Sequence, residues 1–598
     1  MKFVRDSGID RVTDDDGYRD ARESDKETMT NHLKETSPRG QKYASGSHTV
    51  SVPGFPPQHR AQGFDHSAMA SNLADMAALL PSNPWKAFAV VVGMVVVWHL
   101  TTAVYNIFLH PLRRFPGPVL QRASSIPWAL QHSRGIQAFR TRELHDEYGP
   151  VVRIGPDHLS FVDPRAWRDI YGNSTPAGPD GRLSDMPKAE WFARTVRAVP
   201  ANILNAEGDE HQRYRRGLAR GFSDASMREQ EALLLRYIDK LVARFHEACR
   251  GGGAGGDVNS DGKDESKGKG GGEGEAVVNI EAWYNWASFD IAGDLIFGQS
   301  FGCLANAAYH PWIAFIFKMA RYNAPMVGLK YVGLGLVVEG LFKLGGMVAL
   351  STLRDSISRM LESRLALGYE RRDLFEGLVS KQKEWNLSFE QLAGNAAVLV
   401  LAGSETTSTT LSGATYLLLK HPDVLKKVTQ EVRSSFKDGS EVNINSVGKL
   451  SYMSAVISET LRMYPAVLSG SVRVVPPQGG RIASHQVSPG TMVEVQQWAA
   501  NHVLENWHDP FVFRPERFLD ENKGRDKVDA LQAFSVGPRN CIGRNLAHVE
   551  LRLILARILL DFDLEFAEPP QEDWIGKQKA YGIWGRIPLE VRLKPAAA

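Results

Sequence analysis

A chain of 598 residues, 43% of them hydrophobic, is long enough for a large buried core with appendages beyond it. Its 70 basic and 68 acidic residues leave a formal charge of +2, so no global basic field recruits nucleic acid. Three cysteines (Cys249, Cys303 and Cys541) are too few and too scattered for a disulfide framework or a CxxC metal site, which fits a reducing compartment.

Residues 1–84 are polar, rich in Asp, Lys, Arg, Ser and Gly, and read as a disordered extension. The run AFAVVVGMVVVWHLTTAVYNIFL, 87–109, carries no formal charge. At 1.5 Å per residue it reaches about 34 Å, enough to cross a bilayer. It lies too far from the N-terminus, and is too long, for a signal peptide; a buried core helix this rich in valine is the weaker alternative. Arg113 and Arg114 follow it, whereas Lys86 alone precedes it, a bias that sets the C-terminal body on the cytoplasmic side. A transmembrane anchor is therefore expected over 85–110, with FPGP (115–118) stiffening its exit.

From 111 to 598 the chain reads as a single large domain, mainly α with small β-sheets, punctuated by Pro and Gly. Residues 250–276 form a glycine-rich, low-complexity insertion that reads as a solvated surface loop. No GxGxxG between strand and helix and no Walker loop appears, so the chain has no visible nucleotide site of its own.

Several stretches carry candidate chemistry. GDEHQRYRRGLARGFS (208–223) sets His211 and Arg215 one helical turn apart, a pattern that is also ordinary for a basic solvated face. In 387–422, Ser388 and Gln391 make a capping box and Pro422 closes a helix of about 32 residues. Its centre is apolar almost all round, yet Ser404-Glu405-Thr406-Thr407 interrupts it beside the small Ala402 and Gly403. ETLRMYP places Glu459 and Arg462 three apart on one helical face, a weak signal by itself, and FRPERF (513–518) follows. Arg473 lies between these last two stretches, in SGSVRVVPPQGG.

AFSVGPRNCIGRNLAHVE (533–550) frames Cys541 with glycines and an arginine. As a nucleophile the thiol needs an imidazole in contact, and His548 is two helical turns away. As a structural thiol it belongs in an apolar run. The third reading is a thiolate ligand at a helix start, because Leu546, Val549, Leu553, Ala556 and Leu560 recur at helical spacing after it. Gly537 then permits the tight turn, Gly543 lets a flat cofactor approach the backbone, and Arg539 offers a partner for its carboxylates.

The set Phe534, Gly537, Arg539, Cys541 and Gly543 resembles the haem-binding signature FxxGxRxCxG of the cytochrome P-450 family, with Ala533 where proline is commoner. The resemblance covers nearly all of 111–598 and includes YNIFLHPLRRFPGP and FDIAGDLIFGQSFG (289–302), which look like membrane-bound fungal members of secondary metabolism. It implies the cytochrome P-450 fold, one haem b with Cys541 as axial ligand of the iron, and monooxygenation of a lipophilic terpenoid or polyketide-type molecule by O2. Oxidative coupling, desaturation or ring formation on the same fold is the alternative, and a non-catalytic haem-binding protein a more remote one. Thr406 and Glu405 correspond to the alcohol and acid that supply protons for O–O cleavage. His211, Arg215, Arg473 and Arg539 correspond to partners of the haem propionates. Glu459, Arg462 and Arg517 match a structural Glu-Arg-Arg triad. Electrons are expected from NADPH through a separate membrane-bound cytochrome P-450 reductase, and the enzyme is expected as a single-pass protein of the endoplasmic reticulum facing the cytoplasm. By position, residues 187–204, Ala466–Leu468 and Tyr581–Trp584 wall the substrate pocket, with Ser404 and Ser469 as its polar accents, while 326–347 dips toward the bilayer surface.

Overall fold

The computed structural model describes residues 83–172, 175–176, 183–193, 200–251, 274–343, 347–368, 371–520, 524–568 and 573–597. Residues 1–82 of the polar extension, most of the glycine-rich insertion, 194–199 of the expected pocket wall and 344–346 of the segment expected toward the bilayer lie outside the described residues.

The apolar run forms helix α1, Pro84–Phe108. Its stretch Phe88–Phe108 has mean hydropathy 1.9 and is not covered by the rest of the protein, so it is long and apolar enough to cross a membrane. The last turn of α1 is fastened to the body. Asn106 Nδ2 donates to Ala123 O (3.0 Å), the Asn106 carbonyl accepts from Arg153 Nη1 (2.9 Å), and Arg122 Nη2 reaches Ile107 O (3.2 Å). Arg153 is fully buried, and burial and the Arg122 cation lower its pKa to about 10.

The body is mainly helical, as its sequence pattern suggests. The helices that position the site are α2 (Gly208–Ala219), α3 (Asp224–Cys249), α4 (Ile280–Phe297), α5 (Phe389–Lys420), α6 (Ser451–Met463) and α7 (Arg544–Asp561). The capping box forms as expected: Gln391 N donates to Ser388 Oγ (3.2 Å) and Ser388 N to Gln391 Oε1 (2.9 Å). Every residue of α4 is buried, because α5 packs along it and α3 closes another side. Its two interior acids are fully used. Asp290 caps the next short helix by accepting from Cys303 N (3.0 Å) and Leu304 N (2.9 Å); Asp294 binds Arg236 (2.6 Å), Tyr237 OH (2.8 Å) and Arg371 (2.5 Å). Gly298, at φ +74°, ends the helix in the left-handed conformation that favours glycine.

Among the described residues the short strands make a four-stranded sheet, a three-stranded sheet and three two-stranded pairs. In the first, β1 (Val151–Gly155) runs antiparallel to β2 (His158–Phe161). In the second, β3 (Ala276–Asn279) will be the edge strand. The first sheet is completed by β4 (Arg473–Val474), antiparallel to β5 (Met492–Val495), which lies parallel to β2. The second is completed by β6 (Phe562–Phe566) and β7 (Glu590–Pro595), with β7 central and both pairings antiparallel. Where the helix Pro311–Tyr331 meets the first sheet, His158 Nδ1 is hydrogen-bonded with Tyr331 OH (3.1 Å) and His158 Nε2 lies 3.7 Å from Glu494 Oε1. Burial lowers the histidine pKa to about 3 and raises the Glu494 pKa to about 8, so both are uncharged at neutral pH. Beyond that helix the apolar side chains of Leu334, Leu336, Val337 and Leu341 are exposed, Leu336 by 85%.

Candidate functional site

The cysteine loop is shaped by close approach and by hydrogen bonding. Gly537 sits at φ +78°, and a Cβ there would lie 2.0 Å from Tyr171 O, so only glycine fits. Ser535 also has positive φ (56°), and Cys541 N donates to Phe534 O (2.8 Å), which closes the loop. Gly543 is the N-cap of α7. A Cβ on it would find Phe222 at 3.7 Å and Cys541 Sγ at 3.9 Å, with no clash. Cys541 is exposed, whereas Cys249 and Cys303 are buried. The loop crowding the thiol from behind pushes its pKa up, and the Gly543 N–H, Arg215 and Arg544 act in the opposite direction.

On α5, the polar step divides by face. Thr406 is half-buried, beside the exposed Ala402 and half-buried Gly403, where an added Cβ would meet nothing within 4 Å. Its hydroxyl donates to Ala402 O (2.7 Å). Ser404 does not line a pocket as expected: it is fully buried and donates to Val400 O (2.8 Å) and Ser288 O (3.1 Å), toward α4. Glu405 also faces inward. Its carboxylate is held by Arg586, through Nε at 3.1 Å and a second contact from Nη2, and Arg586 Nη1 binds Glu281 at 2.8 Å. Thr407 Oγ1 donates to Gly403 O (2.8 Å) and sits against the Glu550 carboxyl of α7, the helix that begins beside Cys541. Burial raises the Glu550 pKa to about 8.

A surplus of positive charge gathers nearby. Asp185 Oδ2 accepts from Arg473 Nη1 and from Arg539 Nε, each at 2.7 Å. Arg473 also donates to Met186 O (2.6 Å) and Arg539 to Ala206 O (2.7 Å). Lys188 pairs with Arg473 through the backbone and donates its ammonium to Leu204 O. Burial and the two arginines lower the Lys188 pKa to about 7; burial, Arg539 and Lys188 lower that of the buried His211 to about 4. Asp185 is the acid bonded to both arginines, and Arg473 Nε is buried without a partner. Such a set suits a ligand bearing two carboxylates, and with the exposed thiol it fits a carboxylated planar iron cofactor.

Asp185 and Lys188 carry no motif and were not singled out from the sequence. Arg215 is placed differently from the other cations: both its terminal nitrogens donate to Asn540, to the backbone oxygen and to Oδ1, which steadies the residue preceding Cys541.

Glu459, Arg462 and Arg517 do come together, all buried. Arg462 grips Glu459 at 2.7 and 2.8 Å and donates to Asn501 O and Pro510 O, both at 2.7 Å. Arg517 reaches Glu459 (3.2 Å), Asp526 (2.8 Å) and Asp509 O (2.7 Å). These bonds tie α6 to the segment before the cysteine loop. Of the expected pocket walls, Val467 is exposed while Leu468 and Trp584 are buried; Trp584 stacks on Tyr464 (4.3 Å) and donates to Pro465 O (2.8 Å).

Comparison with known proteins agrees with this arrangement. The family described as Cytochrome P450 matches residues 117–581. The chain is 42% identical to the cytochrome P450 monooxygenase tpeC of Talaromyces stipitatus, over 86% of this chain and 95% of the relative. It is 41% identical to an averantin hydroxylase of Dothistroma septosporum (85% and 91%) and 37% identical to the trichothecene C-15 hydroxylase of Fusarium sporotrichioides (86% and 99%). With its glycine-framed cysteine, buried Glu-Arg-Arg triad and matched length, the chain belongs to the cytochrome P450 family and is a monooxygenase of the kind found in fungal secondary metabolism.

Proposed function

We propose that the enzyme inserts one atom of O2 into a lipophilic terpenoid or polyketide-type intermediate, with electrons passed from NADPH by a separate cytochrome P-450 reductase. The cofactor is haem b, held by the Cys541 thiolate, with Arg473, Arg539 and His211 toward its carboxylates and Lys188 beside them. Bound there, haem supplies the reduction of O2 and the oxidation of an unactivated C–H bond. The protein's share is positional. Arg215 fixes the Asn540 step before the ligand. Phe534 and Gly537 set the loop, and Gly543 keeps its inner face low. Thr406 offers a hydroxyl on the open face of α5, and Glu405, one residue earlier, is the acid that restores its proton. Helix α1 anchors the chain in the endoplasmic reticulum with the body toward the cytoplasm, and the exposed leucines after Tyr331 meet the bilayer surface beside the substrate's entrance.

The observation that carries the reading is the exposed Cys541 in a loop that only Gly537 permits, beside a cationic cluster with an unpartnered buried arginine nitrogen. The ferrous–CO complex is expected to show the far-red-shifted Soret band of a thiolate ligand, absent in Cys541→Ser; retention of the band in that variant refutes the ligand. Incubation with 18O2, NADPH and reductase is expected to give a product carrying one labelled oxygen. Product without label refutes oxygen insertion in favour of coupling or desaturation.

A further inference from the structure

We propose that Glu281, Arg586 and Glu405 form one buried proton-holding cluster, in which two carboxyl groups share a single guanidinium and so keep one proton between them at neutral pH. The proposal rests on the reading of Glu405 as the proton-supplying acid and says what holds that proton in place.

Arg586 comes from the C-terminal segment, Glu405 from α5 and Glu281 from the first turn of α4. The guanidinium spends Nε and Nη2 on Glu405 and Nη1 on Glu281, lies 4.2 Å over the Phe317 ring, and donates a longer bond to Tyr309 OH (3.4 Å). The side chains of Glu405, Glu281 and Arg586 are only 3%, 12% and 17% exposed. Among the described residues, Arg586 is the cation acting on either carboxyl. The other polar groups facing them are neutral: the Tyr309 and Tyr464 phenols, both pushed well above their ordinary range, and the Asn285 amide. Two ionised carboxylates against one cation would leave an uncompensated negative charge in a largely buried site, and binding one proton removes it. Burial indeed raises the pKa of both acids, while the two acids hold Arg586 charged.

Glu281 is then a positioning residue. By occupying Nη1 it prevents Arg586 from holding Glu405 permanently ionised. In turnover the O–H bond of the Glu405 carboxyl breaks and its proton leaves toward the Thr406 face of α5. The resulting carboxylate pairs with Arg586, and a proton from water re-forms the acid, so the cluster ends as it began.

The test uses the full-length, haem-loaded protein in lipid nanodiscs. Infrared spectra in H2O and D2O at pH 7 are expected to show a deuterium-sensitive protonated-carboxyl band that disappears in Glu281→Gln and equally in Glu405→Gln, since the remaining carboxylate pairs one-to-one with Arg586. Bands from the buried Glu494 and Glu550 cancel in the variant-minus-wild-type difference. A band lost in only one variant, or in neither, overturns the sharing. The second readout is product formed per NADPH against pH: in Glu281→Gln its alkaline midpoint is expected to fall by about one unit or more, and an unmoved midpoint overturns the positioning role. An intact thiolate Soret band and 18O-labelled product in the same preparations show that the proposed function stands whichever way the infrared result falls.

Discussion

Gly537 offers the sharpest separation between what the fold requires and what the cofactor requires. Replacing it by alanine puts a Cβ at φ +78° and 2.0 Å from Tyr171 O, with the Tyr171 carbonyl carbon at 2.9 Å and Gly172 Cα at 3.1 Å. The left-handed conformation costs alanine about 1–2 kcal/mol. The contact needs the two backbones to part by more than about 1 Å, which in a packed site costs a further 1–3 kcal/mol or so. The obstacle is backbone on both sides, so no rotamer change relieves it, and a total of about 2–5 kcal/mol is expected. Gly543→Ala is the matched control: its φ is −85°, and the new Cβ meets Phe222 and Cys541 Sγ only at ordinary contact distances. In nanodiscs, followed by far-ultraviolet circular dichroism, Gly537→Ala should melt on the order of 5 °C below wild type and load haem poorly. Gly543→Ala should melt like wild type and show its defect in the ferrous–CO spectrum. Equal melting temperatures for Gly537→Ala and wild type would refute the close-approach argument.

Thr406→Ala should divert electrons into peroxide, so product per NADPH falls while NADPH consumption continues; an unchanged ratio removes the hydroxyl from proton delivery. Arg462→Lys keeps the charge but loses the planar fork that serves Glu459, Asn501 O and Pro510 O at once, and a loss of about 2–4 kcal/mol is expected in denaturant titration. Glu494 has its pKa raised to about 8 from an ordinary value of about 4.3, so folding takes up a proton between those limits. Its contribution to stability is complete below that window and is lost as pH rises through about 8. Glu494→Gln stays neutral throughout, and its advantage in melting temperature over wild type should grow from about pH 6 to about pH 9. A constant difference across that range contradicts the buried, uncharged state.

Legibility followed distance along the chain. Glu459 and Arg462 are three apart on a helix, so their contact is written in the spacing, and the ends of α5 follow from a capping box and a proline. The cysteine loop is equally local, since each glycine answers a constraint within a few residues or a single close approach. Arg586 was missed because 181 residues separate it from Glu405 and GIWGRIPL has no period that marks it. The usable signal was indirect: an acid inside an almost wholly apolar helix needs a cation, and an arginine between Trp584, Ile587 and Leu589 needs an acid. Ser404 and Glu405 look alike to Thr406 in sequence, and only the packing of α4 against α5 decides that they face inward. Asp185 and Lys188 lie in an irregular segment, where side-chain direction has no periodicity to reveal it.

The hydrogen bonds at the last turn of α1 make that helix a lever on the body rather than a loose tether. Arg153 is fully buried and takes one of its acceptors, the Asn106 carbonyl, from the apolar helix α1. Tilting that helix therefore works against a buried cation, so its angle to the body is built into β1. For anyone exchanging the leader to raise expression, the safe junction lies upstream of Asn106. A cut at residue 109 would discard the acceptor and leave Arg153 with Pro156 O as its remaining partner.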